Sequence, residues 1–382
     1  MDLDDLQRNW DEWGRRDPYW AIISRPDRRG NRWDLDEFLR TGIDEIDALF
    51  AWLEELDVGL RRGRALDFGC GVGRLTQALA RTFEECDGVD IAPSMIERAH
   101  ELNRFGDACR YHVNDRDDLK LFDDGVFDLI YSDIVLQHIS PEFSANYVRE
   151  FTRVLAPGGV MVFQLPSHPL PADERTPGLA SIADDAYRAE ILPVDDALEL
   201  EAGVIGEIDV RVRNVSTAPW PADRFVNLGN HWRSAGGELL RIDDGRASMG
   251  ATLQPGDTVQ LTLEMQAPTD PGAYLMELDL VLEGVAWFAD RGSPTTTIPV
   301  RVVPRTTASS RDEPEILPVM EIHGIPRAEV EAMLNARDFS IVAVQETDKA
   351  AGWRDYWYVA VKPEGTPRTR RRARDLLRRR SS

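Results

Sequence analysis

Cysteine is scarce. Only Cys70, Cys86 and Cys109 occur in 382 residues, an odd number without C-x-x-C spacing, which excludes a disulfide framework and a cysteine-based zinc site, so no metal is expected. Lysine occurs only at 120, 349 and 362, leaving arginine to carry nearly all the positive charge. No run of about 18 apolar residues exists, so no transmembrane segment is expected. The start, Met1-Asp2-Leu3-Asp4-Asp5, lacks the basic and apolar regions of a signal peptide, and the expected compartment is the cytoplasm. Positive charge is in deficit: the net charge of -22 excludes a surface built as a whole for nucleic acid or anionic lipid. The exception is the C-terminus. Arg368 to Arg380 hold eight Arg and one Asp, a local +7, so the remainder carries -22 - 7 = -29. A solvated, disordered tail is expected over 365–382, with weak contact to a membrane surface or polyanion as the alternative.

What is present is enough to fold. Hydrophobic residues make up 42% of the chain, sufficient for packed cores, and the length suggests two domains. Residues 1–60 read as a helical cap. Ile43, Ile46, Leu49, Phe50, Leu53 and Leu56 recur at helical spacing, with Thr41 and Asp44 as a capping pair. Trp10, Trp13, Tyr19 and Trp20 show no clean period and predict short helices lying over the rest.

From Arg64 to Pro166 short apolar runs alternate with helical stretches. Strands are predicted at 65–68, 87–91, 111–114, 127–131 and 160–163, and helices at 75–83, around 95–99 and at 141–155, which is the pattern of a parallel, doubly wound sheet. The period then changes to two. Ile208, Val210 and Val212, then Val259 to Met265, Tyr274 to Leu282 and Ile298 to Val302 alternate with polar residues, as in an antiparallel β-sandwich. After Pro304 a helix following Pro326 and strands at 340–345 and 356–361 return to the first pattern and would supply an antiparallel edge pair. The expected organisation is an α/β Rossmann-like sheet over 61–189, interrupted by an all-β insertion at 190–304 and completed by 305–364.

The strongest chemical signal is Asp67-Phe68-Gly69-Cys70-Gly71-Val72-Gly73, between a strand and a helix. Glycines let a backbone turn tightly and approach a ligand with no Cβ in the way, and the helix start offers free N–H groups. Dinucleotide binding wants G-x-G-x-x-G, but the third glycine position would be 74, which is Arg. Asp90, ending the second strand 23 residues after Asp67, can accept hydrogen bonds from both hydroxyls of a ribose. Asn114-Asp115 ends the third strand, and Phe127 to Asp133 ends at the switch point where such sheets bind ligands.

Asp67 to Gly73, Asp90, Asp115, Phe127 to His138 and Leu155-Ala156-Pro157-Gly158-Gly159 resemble, in order, the motifs of class I S-adenosylmethionine (SAM)-dependent methyltransferases. The resemblance covers about 60–166, with 318–362 resembling the closing helix and strand pair. It implies SAM as cofactor: Asp67, Gly69, Cys70, Gly71 and Gly73 at the methionine end, Asp90 and Ile91 at the ribose, Asp115 with Arg116 at the adenine, and Asp133 at the end of the fourth strand. Leu136 to Ile139 would face the acceptor. Methyl transfer mainly requires alignment and exclusion of water; a general base is needed only for a weakly acidic acceptor such as a sugar hydroxyl. His138 is the first candidate, ahead of His168, His323 and Asp133, and a packing or capping histidine is the alternative.

Asn214 to Trp220, His231-Trp232 and Trp287-Phe288 resemble the immunoglobulin-like modules that accompany bacterial glycosyltransferases and polysaccharide-export proteins. That implies a small-molecule or glycan acceptor, O-methylation and a stacking face of exposed Trp. Burial of Trp220 in the sandwich core is the competing expectation, and Trp232 and Trp287 are open between the two. A SAM- or glycan-binding adaptor without catalysis is the alternative function.

Overall fold

The computed structural model describes residues 1–25, 28–171, 182–221, 226–241, 244–283, 285–305, 316–350 and 352–364. The arginine-rich tail and most of the linker after Pro304 lie outside them. Among the described residues no helix is long and apolar enough to cross a membrane.

The chain opens with helices α1 (Leu3–Arg16), α2 (Pro18–Ile22) and α3 (Leu35–Glu55). Asp2 caps α1 by accepting from the Asp5 N–H, acids fill the first turn and Arg15 and Arg16 the last, an order that suits the helix dipole. This helix has 14 residues, longer than the short pieces expected there. Asp34, not the expected Thr41 and Asp44 pair, caps α3 by accepting from the Glu37 N–H. Thr41 sits inside the helix, its hydroxyl donating to the Phe38 carbonyl at 2.6 Å.

Strands and helices then alternate: β1 (Arg64–Phe68), α4 (Arg74–Leu79), β2 (Glu85–Asp90), α5 (Pro93–Leu102), β3 (Cys109–Val113), β4 (Phe127–Ser132), α6 (Pro141–Val154) and β5 (Leu155–Pro169). Ten strands follow, β6 (Ala189–Pro193), β7 (Leu198–Glu201), β8 (Ile205–Asn214), β9 (Val226–Ser234), β10 (Leu239–Arg241), β11 (Arg246–Ser248), β12 (Thr258–Gln266), β13 (Gly272–Leu282), β14 (Ala286–Trp287) and β15 (Thr296–Val303). Helix α7 (Arg327–Asn335) and strands β16 (Ser340–Thr347) and β17 (Trp353–Val361) close the chain.

The first sheet has the order β16-β17-β5-β4-β1-β2-β3. Neighbours among β1 to β5 run parallel, while β17 lies antiparallel to both β5 and β16. This is a Rossmann-like fold with the late strand pair of residues 340–361 added beside β5. Both faces are covered, which is why the central strands are apolar throughout: one cluster gathers Leu66, Ile130 and Phe163 with Phe151 of α6, the other Ala65, Leu129 and Val162 with Ile46 and Leu53 of α3.

Between β5 and α7 the chain builds two further sheets, β10-β9-β13-β15-β7, flanked by β11 and β14, and β12-β8-β6. They share one core, in which Ile208, Val210 and Val212 of β8 join Leu228, Met276, Leu280 and Val300 of the larger sheet. Trp220 and Trp232 are each 1% exposed. Their indole N–H groups donate to the Ala186 carbonyl and the Asp244 carboxylate, both at 2.8 Å. These two Trp therefore offer no stacking face. Trp287 is half-buried between His231 and the Arg246 guanidinium, 4.8 Å from its ring centroid.

Candidate functional site

Where β1 ends, the chain turns through three glycines with positive φ: Gly69 at 76°, Gly71 at 50° and Gly73 at 80°. The left-handed region is costly for residues with a Cβ. A Cβ on Gly69 would collide with Val135, and one on Gly71 would lie 2.5 Å from Ile22 Cδ1. The N–H groups of Gly69 and Cys70 both donate to the Val89 carbonyl, at 2.8 and 3.0 Å, which clamps the turn to β2. Asp90 finishes the clamp: its two carboxylate oxygens accept from Gly71 N–H at 2.8 Å and Ala92 N–H at 2.9 Å. Burial raises its pKa, against these bonds.

A cavity, partly open to solvent, lies beyond this turn. Of the residues expected at a cofactor site, Gly69, Cys70, Gly71, Asp90, Ile91 and Asp133 line it, together with His138. The others stand elsewhere. Asp67 is buried behind the turn, accepting from the Thr76 hydroxyl at 2.6 Å, and burial pushes its pKa up to about 7. Gly73 caps α4. Asp115 and Arg116 are exposed, and Asn114 forms the cavity wall in their place. Its side-chain amide donates to the carbonyls of Arg116 and Asp118 at 3.0 and 2.9 Å.

The expected helical cap lies against the cavity, although which of its residues would line it was not legible in the sequence. Leu6 and Trp10 of α1 and Ala21 and Ile22 of α2 supply its apolar side. Asp11 of α1 accepts from the Ser94 N–H at 2.7 Å, so one helix caps another and fixes the wall against α5. The segment 316–325 crosses outside α1. Its Glu321 carbonyl lies 2.7 Å from His138 Nδ1, its His323 N–H donates to the Gln137 carbonyl at 2.7 Å, and its Ile325 N–H to the Pro166 carbonyl at 2.9 Å.

His138 lines the cavity, but its nitrogens are engaged. A carbonyl only accepts, so Nδ1 carries the hydrogen and Nε2 holds the lone pair. The Gln137 amide nitrogen faces that lone pair at 3.1 Å. Burial lowers the pKa to about 4. A nitrogen so occupied is a poor proton acceptor, and the geometry is that of a residue holding the 316–325 segment in place. His168 and His323 are not among the cavity residues.

Asp133, expected at the end of β4, has a charged partner that the sequence did not foreshadow. Asp133 Oδ2 accepts from Lys349 Nζ at 2.8 Å. Arg74, the residue that broke the dinucleotide spacing, donates to Glu45 at 2.8 Å, and the Tyr131 hydroxyl donates to the other Glu45 oxygen at 2.9 Å. Ile134, next to Asp133, holds φ at 60°, and its N–H donates to the Gln164 side chain at 3.2 Å.

A family model described as a methyltransferase domain matches residues 66–163, the span from β1 to β5 that builds this cavity. Over these residues the chain carries a methyltransferase domain. Ubiquinone biosynthesis O-methyltransferase of Xanthomonas campestris pv. campestris (strain B100) is 30% identical over 140 residues, 36% of this chain and 54% of that protein. The enzyme of the same name from Methylococcus capsulatus is 30% identical over 132 residues, 34% and 54% respectively. The chain thus spans about half the length of the curated relatives it matches. The crystal structure of an S-adenosylmethionine-dependent methyltransferase from Clostridium acetobutylicum ATCC 824 aligns with a TM-score of 0.37 at 14% identity, over 84% of this chain and 90% of that one. SAM is the cofactor of the methyltransferase domain. The residues present fit it: Gly69, Cys70, Gly71 and Asp90 line the cavity, and Asp133 Oδ1 and Arg74 Nε, both buried, have no hydrogen-bond partner.

Proposed function

We propose that the chain catalyses methyl transfer from SAM to an oxygen of a small molecule or saccharide in the cytoplasm. The observation that carries this reading is the cavity itself, where the Gly69–Gly73 turn, Asp90 and Asp133 meet at the ends of parallel strands. Held there by the turn and Asp90, SAM would supply an electrophilic methyl group for the acceptor oxygen. The chain's part is alignment and exclusion of water, worth up to about 7–11 kcal/mol in well-oriented reactions. Gly69, Cys70 and Gly71 present backbone to the cofactor, Asp90 and Ile91 lie at the ribose and Asn114 at the adenine. Leu6, Trp10, Ala21 and Ile22 keep water from the reacting atoms. Oxygen as the accepting atom is supported by the similarity to ubiquinone biosynthesis O-methyltransferases. Residues 190–304 are read as an inserted immunoglobulin-like domain that brings a glycan acceptor.

The test is incubation of the purified chain with methyl-labelled SAM and a panel of hydroxylated small molecules, saccharides and glycans. Label on an acceptor oxygen is the expected result. Binding of S-adenosylhomocysteine without any transfer would point to an adaptor, and no binding at millimolar concentration would overturn the reading.

A further inference from the structure

A second cleft, open to solvent, lies between the N-terminal helices and the paired sheets. One wall is the end of α1 with α2; the other is formed by β8, β9, β11 and β12. The walls are tied together. The Arg16 guanidinium donates to Glu264 of β12 at 2.9 Å, and the Leu317 N–H to the Gln266 side chain at 2.9 Å.

Asp17, which lines this cleft, is 6% exposed. It precedes α2, where an aspartate ordinarily caps the helix, yet its side chain makes no such bond. Oδ2 accepts from the Gly30 N–H at 2.5 Å, while Oδ1 is buried with no hydrogen-bond partner. A buried oxygen left unpaired is costly, so Oδ1 marks a place where a ligand donates. Arg29 lines the same cleft, its guanidinium 4.8 Å from the Trp20 ring centroid. Among the described residues no hydrogen bond or ion pair takes up its N–H groups. Burial lowers its pKa, and Asp17, Glu283 and Glu264, which face it, act the other way.

The unused atoms select the ligand. Six acids and three arginines line the cleft, a local charge of -6 + 3 = -3, which repels a phosphate or a uronate. An ammonium only donates and would leave Arg29 unmatched. A hydroxyl donates one hydrogen and accepts on its lone pairs, so neighbouring hydroxyls serve Asp17 Oδ1 and Arg29 together. Sugar rings carry hydroxyls in such pairs. The position also matters. Leu6, Trp10, Trp13 and Asp17 follow one another at intervals of four, three and four residues, one face of α1. The first two line the cofactor cavity and the last two this cleft. At 1.5 Å per residue, Trp10 and Asp17 stand about 10 Å apart along the axis.

We propose that this cleft seats an uncharged saccharide, with hydroxyls of one ring shared between Asp17 and Arg29, as the remote part of an acceptor whose reacting hydroxyl lies further along α1 in the cavity. The proposal rests on the reading of the chain as a methyltransferase with a saccharide acceptor. Contacts made so far from the reacting atoms act on acceptor affinity, and so on the Michaelis constant.

Calorimetric titration of the full chain with tetrasaccharides of glucose, mannose, galactose and rhamnose tests the seat directly, with spermidine and tetragalacturonate as charged controls. We expect an uncharged tetrasaccharide to bind and both controls to be ignored. Arg29→Ala and Asp17→Asn should each weaken that sugar roughly ten- to hundredfold. S-adenosylhomocysteine should keep its wild-type affinity in both, which also shows that they are folded. With methyl-labelled SAM, wild-type protein should show a lower Michaelis constant for the tetrasaccharide than for its monosaccharide, and Arg29→Ala should narrow that difference. If no uncharged sugar binds, if a charged control binds instead, or if Arg29→Ala binds the sugar like wild type, the proposal fails. Binding of S-adenosylhomocysteine with transfer to a non-sugar hydroxyl would then leave the methyltransferase reading standing. Sugar binding without its methylation would overturn the acceptor role.

Discussion

Asn9 and Val319, 310 positions apart, exchange a pair of hydrogen bonds: the Asn9 amide donates to the Val319 carbonyl and the Val319 N–H to Asn9 Oδ1, each at 2.8 Å. Asn9 is 3% exposed. The pair ties α1, and with it Leu6 and Trp10, to the segment that returns from the second pair of sheets.

Asn9→Ala removes the side-chain partners of both the N–H and the carbonyl of half-buried Val319. The expected cost is about 1–3 kcal/mol per group left unpaired. Denaturant titration should show a lower midpoint, and hydrogen exchange should quicken at the Val319 amide. An unchanged midpoint with unchanged protection would show that the pair does not hold the segment.

His138 makes stability depend on pH. Its folded pKa of about 4 lies below the ordinary value of about 6.5, so the unfolded chain binds more protons in between. The contribution is whole above about pH 6.5 and is lost as the pH falls towards 4, amounting to about 3 kcal/mol in all. His138→Asn, which removes the titrating group while offering an amide donor to Glu321, should flatten the stability curve in that window. Because both ring nitrogens are engaged, the same variant should lose less turnover than the roughly 10²–10⁴-fold expected for a missing general base. A larger loss at an unaltered Michaelis constant would restore His138 as the base.

Asp90→Ala should weaken S-adenosylhomocysteine roughly ten- to hundredfold, since charged hydrogen bonds contribute about 1.5–3 kcal/mol each. It should also lower the melting temperature, because Gly71 and Ala92 lose their acceptor. Asp90→Asn keeps an oxygen for one of them and should fall between. Calorimetry with full wild-type affinity in the Ala variant removes Asp90 from the site.

Gly69→Ala combines a φ of 76° with a collision against Val135. A left-handed residue with a Cβ costs about 1–2 kcal/mol, and the clash adds to it. Adding Val135→Ala should relieve only part of the collision, because the Cβ that remains would stand 2.8 Å from the new methyl. Full recovery of stability in the double variant would show that the turn relaxes freely.

The parts of this architecture that could be read from sequence are those whose period belongs to one element. Strands β1 to β5 announced themselves as apolar runs, and β8, β12, β13 and β15 by strict alternation. Helix α1 did not, because the break at Asp17-Pro18 puts Trp10 and Trp13 on one helix and Tyr19 and Trp20 on the next, so their phases mix. Of the pair Asn114-Asp115 singled out after β3, only Asn114 lines the cavity, since one step along the chain there changes which side faces it. Glu45, Arg74, Asp133 and Lys349 could not be grouped at all. They come from α3, α4, the end of β4 and the turn before β17, and only the completed sheet brings them together. The burial of Trp232 depended likewise on Asp244 arriving to accept its N–H.

Ile134 is a branched residue whose backbone sits where such residues rarely go, at a cost of order 1–3 kcal/mol. A free peptide spanning 127–139 would therefore not keep this bend. The bend persists because Gln164 of β5 grips its amide and Val135 is wedged against Gly69, so the shape that aims Asp133 is owned by neighbouring strands rather than by the segment itself. Loosening β5 at Gln164, out of sight of any ligand, would let the bend unwind and turn Asp133 away from the cavity.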